Sequence, residues 1–243
     1  MKCIICALDT EYESVKAFFN SVKETCIDDT FSICECESND IILVKSGIGK
    51  ALAYKHTEYI FNNYKDVETV YSVGIAGAMS DDINIGDIVV ADVVLNLNIN
   101  DCVNECTASD IIDSCCNKVD CISSLNDDLS ITEYNVNDSK DLFKIINDNY
   151  EDGKVVLGKV LSTDFIVSNL DLRNKLYDKT ASICVEMESG GIAEICSKKN
   201  KKFFAIKIIS DFADDNALNS MLKRQIALMR NMGRILKNTF INK

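Results

Sequence analysis

Eight short runs rich in isoleucine and valine recur along the chain, at residues 2–7, 31–36, 40–46, 68–74, 86–94, 155–161, 182–186 and 203–209. Several are apolar at successive positions, as in "DIVVADVV" and "FFAIKIIS". Such strands need cover on both faces, which a sheet between helical layers provides. Helical periodicity fills many of the intervals, at roughly 10–23, 50–64, 139–148, 169–178, 189–199 and 217–240. The last places Leu222, Ile226, Met229, Leu236 and Phe240 on one stripe. The alternation predicts an α/β fold: a three-layer sandwich with a sheet between helices. It is expected to be one domain over residues 1–243, with an irregular insertion at about 96–137, where Asn, Asp, Ser and Cys crowd together without clear periodicity.

Composition removes several classes of function. A net charge of −12 argues against nucleic acid and anionic membrane as partners. No apolar run reaches membrane-spanning length. The start, "MKCIICALDTEYES", turns acidic too soon for a secretory signal, so a cytoplasmic protein with reduced thiols is expected. The 12 cysteines include a group at Cys102, Cys106, Cys115, Cys116 and Cys121, which lacks paired CxxC spacing and a nearby histidine. A metal site is therefore not expected there. Cys3 and Cys6 do match CxxC, but on a strand their odd separation points them to opposite faces, away from shared redox chemistry.

In such sheets ligands sit beyond the carboxyl ends of strands. Six of these ends carry small or acidic residues: Asp9 and Glu11, "SGIGK" (46–50), "GIAGA" (74–78), "STDF" (162–165), "EMES" (186–189) and "SD" (210–211). Neither glycine stretch has the spacing of a phosphate loop or a dinucleotide fingerprint, and each alone reads as a tight turn. Singly, Glu11 reads as a solvated first-turn residue, Glu188 as an acid complementing a helix dipole and Asp211 as a helix cap. Three carboxylates at three strand ends, beside glycine-rich turns, point instead to a shared site. A carboxylate in such a place can accept bidentate hydrogen bonds from vicinal hydroxyls.

The quoted segments have a family counterpart. "ALDTEYE", "KSGIGKA" (45–51), "VGIAGAMSDDINIGDIVVAD" (73–92), "VEMES" (185–189) and "ISDFAD" (209–214) resemble the purine nucleoside phosphorylase and nucleosidase superfamily. Within it, the resemblance is to the 5′-methylthioadenosine/S-adenosylhomocysteine nucleosidases, and it spans most of the chain. It implies a nucleoside phosphorylase-like fold with a central mixed, twisted sheet. It also implies hydrolysis of the N-glycosidic bond of a 5′-substituted adenosine, without metal or organic cofactor, by a homodimer. Carried onto matching positions, Glu11 is the catalytic base and Asp211 the acid at purine N7, oriented by Ser210. Glu188 would hold the ribose hydroxyls and Met187 would pack on the sugar, with Glu186 contributing as neighbouring backbone and structure. Phe165 would stack on the base beside Ile166 and Val185, Ala76 and Gly77 would line the sugar–base junction, and Ile48 the 5′ subsite. Four departures stand out: Ile75 where the family has Ser or Thr, Lys207 where it has Arg, a shortened "STDF" segment, and no recognisable aromatic dimer segment in 96–106. The resemblance leaves a phosphate-dependent phosphorylase and a catalytically silent nucleoside-binding protein as alternatives. All four arginines follow residue 172, which favours the hydrolase.

Overall fold

A computed structural model describes residues 1–37, 40–98 and 130–241. The chain order is β1 (Lys2–Cys6), α1 (Asp9–Lys16), β2 (Ser21–Cys26), β3 (Ser32–Cys36), β4 (Ile41–Lys45), α2 (Lys50–Asn63), β5 (Thr69–Ala78) and β6 (Ile88–Asn98). Beyond the undescribed stretch come β7 (Ser130–Asn135), α3 (Ser139–Asn147), β8 (Val155–Ser162), α4 (Leu170–Thr180), β9 (Cys184–Glu186), α5 (Ser189–Lys198), β10 (Lys202–Asp211) and α6 (Ala217–Phe240).

All described strands belong to one mixed sheet, as expected. β1 lies between β4 and β5 and is parallel to both, while β3 and β2 extend this wing in antiparallel fashion. Beyond β5 the sheet closes on itself. β10 runs parallel to β5 and antiparallel to β6, β6 is parallel to β8, β8 to β9, and β9 returns antiparallel to β5. Five strands thus form a ring with a four-strand wing attached, and β7 pairs on the outside of β6.

The layers follow from side-chain alternation. Ile4 and Cys6 of β1 join Tyr12 and Val15 of α1 and Met229, Met232 and Leu236 of α6 in one buried cluster. Cys3 and Ile5, on the other face, join Ala53 and Ile60 of α2 and Ile192 and Ile195 of α5. The two thiols of the CxxC therefore point apart, as period 2 requires. Each fully buried Ile, Leu or Met contributes about 1.5–3 kcal/mol.

Three expectations need correction. The helix expected over 10–23 ends at Lys16, and residues 21–23 belong to β2. Most of β2 is exposed, so it carries no apolar alternation to announce it. The stretch expected to be irregular at 96–137 holds the end of β6 and all of β7 in its described parts. The cysteine group at 102–121 and most of the 96–106 segment lie outside the described residues. Finally, the α6 stripe is not core throughout: Met229 and Leu236 are buried, but Leu222 is 61% and Ile226 50% exposed. No helix among the described residues is long and apolar enough to cross a membrane.

Candidate active site

The six strand ends singled out from sequence meet around one cavity of about 460 Å³. Its wall includes Ala7 to Glu11 after β1, Ile48 after β4, Ile75 to Gly77 on β5, Thr163 and Phe165 to Val167 after β8, Val185 to Glu188 and finally Ser210 and Asp211. Every site residue expected from the sequence is among them: Glu11, Asp211, Glu188, Met187, Glu186, Val185, Ser210, Phe165, Ile166, Ala76, Gly77 and Ile48. The sequence reading missed the remaining wall, built by α6 through Ala217, Leu218, Met221, Leu222 and Gln225. Of these, Ala217 and Gln225 are buried while Leu222 of the stripe is exposed, a leucine that resembles a core position when read by period alone.

Glu11 is only 3% exposed, so it is no solvated first-turn residue. Its Oε2 accepts from the N–H groups of Ala7 and Leu8 at 3.0 Å each, and Oε1 accepts from Ile75 N–H at 2.9 Å. Gly74 makes this approach possible, since a Cβ there would stand 2.6 Å from Oε1. Gly77 plays the same part for Asp211, whose Oδ1 would meet a Cβ at 2.8 Å. The glycines of "GIAGA" thus provide space for two carboxyl groups rather than a special turn.

Asp211 accepts from Ser210 Oγ at 2.7 Å and, through its other oxygen, from Ala213 N–H at 2.9 Å. The second bond closes a local Asx-type turn. Ser210 and Ala213 thus each hold one oxygen of the carboxyl. Burial pushes both acids above their ordinary range. Around Glu11 the three N–H donors and the charge of Lys207 pull back toward ionisation. Around Asp211 the bonds from Ser210 and the Ala213 N–H pull the same way, against burial and the like charge of Asp214.

Glu186 and Glu188 answer to different partners although only one residue separates them. Glu186 is inward-facing: Lys207 Nζ lies 2.8 Å away, with side-chain exposures of 2% for the lysine and 1% for the glutamate. Its oxygens also accept from the N–H groups of Glu188 and Ser189 and from Ser189 Oγ. Burial works to raise the Glu186 carboxyl, but Lys207 and these donors hold it below its ordinary value. Lys207 also donates to Ser72 at 3.0 Å, so it serves as an anchor beneath the cavity floor. Glu186 is thus the acid that holds the start of α5, while Glu188 occupies the cap position without capping it. Glu188 is half-buried and accepts one bond, from Gly49 N–H at 2.9 Å. Burial and the neighbouring Glu186 charge push it up to about 8. Its other oxygen makes no hydrogen bond among the described residues and is available to a ligand's hydroxyls.

Two lysines near the mouth are already occupied. Lys45 bonds Asp9 at 2.7 Å and the Asp29 carbonyl at 2.8 Å. Lys50 bonds Asn96, the Leu97 carbonyl and Asp164. No Lys or Arg stands among the described lining residues, whereas Asp9, Glu11, Glu186, Glu188 and Asp211 do. No His/Cys/Asp/Glu group among the described residues could hold a metal ion.

Phe165 and the directed carboxyl groups thus line one largely apolar cavity. The chain belongs to the Phosphorylase superfamily, whose model matches residues 2–240. It is 31% identical over 217 residues to a 5′-methylthioadenosine/S-adenosylhomocysteine nucleosidase of Buchnera aphidicola, covering 88% of this chain and 86% of that protein. The Neisseria meningitidis nucleosidase of that name, solved with methylthio-immucillin-A, shares the fold with TM-score 0.80 at 20% identity, covering 100% of this chain and 99% of that one. The futalosine hydrolase of Helicobacter pylori shares it with TM-score 0.77 at 20% identity, covering 100% and 97%.

Proposed function

We propose that the chain hydrolyses the N-glycosidic bond of 5′-methylthioadenosine, S-adenosylhomocysteine or a related 5′-substituted adenosine, releasing adenine and a thioribose. The observation that carries this reading is the pairing of Glu11 with Asp211 across one cavity, each fixed by its own donors. The adenine ring lies against Phe165 and Val185, with N7 toward Asp211. The ribose diol meets Glu188, and Met187 packs on the sugar. As the C1′–N9 bond breaks, Asp211 gives its proton to N7, so that adenine leaves neutral. Water forms the new C1′–O bond and Glu11 takes its proton. Each such acid or base contribution is typically about 10²–10⁴-fold.

Hydrolysis is favoured over phosphorolysis by the lining itself. A phosphate dianion wants guanidinium or ammonium donors, and the described lining offers five acids and no cation. Of the arginines, Arg173 is held by the Met79 carbonyl and Asp81, and Arg234 by Asp152. The directed hydrogen bonding of Glu11 and Asp211 weighs against a silent binding protein. The test is product analysis with methylthioadenosine, in phosphate-free buffer and again with millimolar phosphate. Free thioribose in both is the expected result. A sugar 1-phosphate, or a rate that rises with phosphate, overturns the reading.

The setting belonging to this reading is a cytoplasmic homodimer acting in methionine salvage and nucleoside catabolism. Buried, unpaired thiols such as Cys3, Cys6 and Cys184 accord with a reducing compartment. Light scattering should give a dimer mass; an active monomer at all concentrations excludes the assembly.

A further inference from the structure

His56 is the sole histidine of the chain, and the chemistry proposed above makes no use of it. It lies on α2 and is only 3% exposed. Its ring stacks on Phe31, with centroids 4.1 Å apart and planes within 2° of parallel, and Tyr59 meets Phe31 nearly at a right angle. Nδ1 lies 2.8 Å from the Ser46 carbonyl oxygen. A carbonyl only accepts, so Nδ1 carries the proton. Burial lowers the ring below its ordinary value, outweighing the Ser46 carbonyl and the charge of Asp28, and Lys55 works the same way as burial. The imidazole is therefore a neutral donor at pH 7.

This bond reaches back from α2 to the turn that leads into it. Between Ser46 and the helix lie Gly47, Ile48 and Gly49, and both glycines have left-handed φ, +73° and +99°. Two glycines give the turn its path but no side chains to lock it. Yet the turn reaches the site: Ile48 lines the cavity, and Gly49 N–H donates to Glu188 Oε1 at 2.9 Å. Its exit is held by Lys50, through Asn96 and Asp164. Its entry is held by the Ser46 N–H bond to the Cys6 carbonyl and, from the other side, by His56.

We infer that His56 is a positioning residue for the site: by holding the Ser46 carbonyl it sets the turn so that Gly49 N–H meets Glu188, and so aims the acid that takes the ribose diol. His56 itself touches no substrate. The inference rests on the nucleosidase reading above and deepens it.

The test uses the full chain and two readouts. His56→Leu keeps a buried apolar side chain and removes the donor; His56→Asn keeps an N–H close to the place of Nδ1. Amide hydrogen exchange, read by NMR, should speed up about fivefold at Gly49 in His56→Leu, the size of one lost hydrogen bond, while amides of β5 keep their wild-type rates. His56→Asn should restore the protection. The kcat/KM for methylthioadenosine should fall about fivefold in His56→Leu and return to within twofold of wild type in His56→Asn. In a Glu188→Ala background the same His56→Leu change should cost nothing further, because the group it acts through is gone. A merely structural histidine would give equal losses in both backgrounds. Where urea melts show His56→Leu unfolded, His56→Ala makes the same comparison. Adenine release by the wild-type protein tests the nucleosidase reading separately, and the exchange comparison stands with or without it. Wild-type exchange at Gly49 in the folded donor-less variant overturns the inference. So does an equal loss of kcat/KM with and without Glu188.

Discussion

Gly74→Ala adds a single methyl group opposite Glu11, the proposed base, and the structure sets the size of the effect. The new Cβ would lie 2.6 Å from Glu11 Oε1 and 3.2 Å from its carboxyl carbon. A relaxed carbon–oxygen contact needs roughly 3.3 Å, so the carboxylate must withdraw by about 0.7 Å. That retreat stretches the Ile75 N–H bond, now 2.9 Å, out of hydrogen-bonding range. A hydrogen bond to a charged group is worth about 1.5–3 kcal/mol. Restricting the unfolded chain returns about 0.4–1 kcal/mol, leaving a net loss of roughly 1–2 kcal/mol. For a domain of this size that lowers Tm by about 2–8 °C. The effect on the chemistry should be larger, since displacing a catalytic group by about 1 Å costs about 10²-fold in rate. The assay is initial-rate adenine release beside a thermal melt. Gly158→Ala is the control: its Cβ meets Ile183 Cδ1, also at 2.6 Å, away from the cavity. Wild-type kcat/KM in folded Gly74→Ala, or an equal loss in Gly158→Ala, would refute the reasoning.

Asp211→Asn keeps an oxygen for the Ala213 N–H but cannot give up a proton to N7; adenine release should fall by about 10²–10⁴-fold with the melt little changed, and wild-type turnover would remove the residue from its role. Glu188→Gln tests the electrostatics. The folded-state value of Glu188 is raised to about 8 from an ordinary 4.5, so across that window the native state holds a proton that the unfolded chain releases. Native stability therefore falls as pH rises through the window. Glutamine does not titrate, so the Tm of the variant relative to wild type should rise between pH 5 and pH 8; a constant difference would contradict the shift.

The strand ends were legible because their chemistry is local. Glu11, "VEMES" and "SD" each break an apolar run with an acid, and a helix-covered sheet places such breaks on one rim. The purpose of the glycines was not local: Gly74 and Gly77 sit on β5, while the carboxyls they admit come from α1 and β10. Gln225 escaped notice for a related reason, since nothing in "KRQIAL" distinguishes a cavity wall from a solvated helix face. β2 and β7 were missed because exposed edge strands need no alternation. Ring closure was invisible too, as pairing between β5 and β10 leaves no trace in either strand's own pattern.

That closure fixes when, during synthesis, the molecule can begin to work. β5 is complete at Ala78, but the strand that fills the space between it and β6 begins only at Lys202. Until then a nascent chain carries Glu11 and the glycine-rich wall beside two open strand edges, the kind that invite pairing with another chain. The acid at Asp211 arrives with the last strand, and the cavity's remaining wall with the helix after it. Contacts spanning so much sequence form slowly. On the proposed function no shortened intermediate is active, and the first adenine released marks a chain in which β10 and the helix after it are already in place.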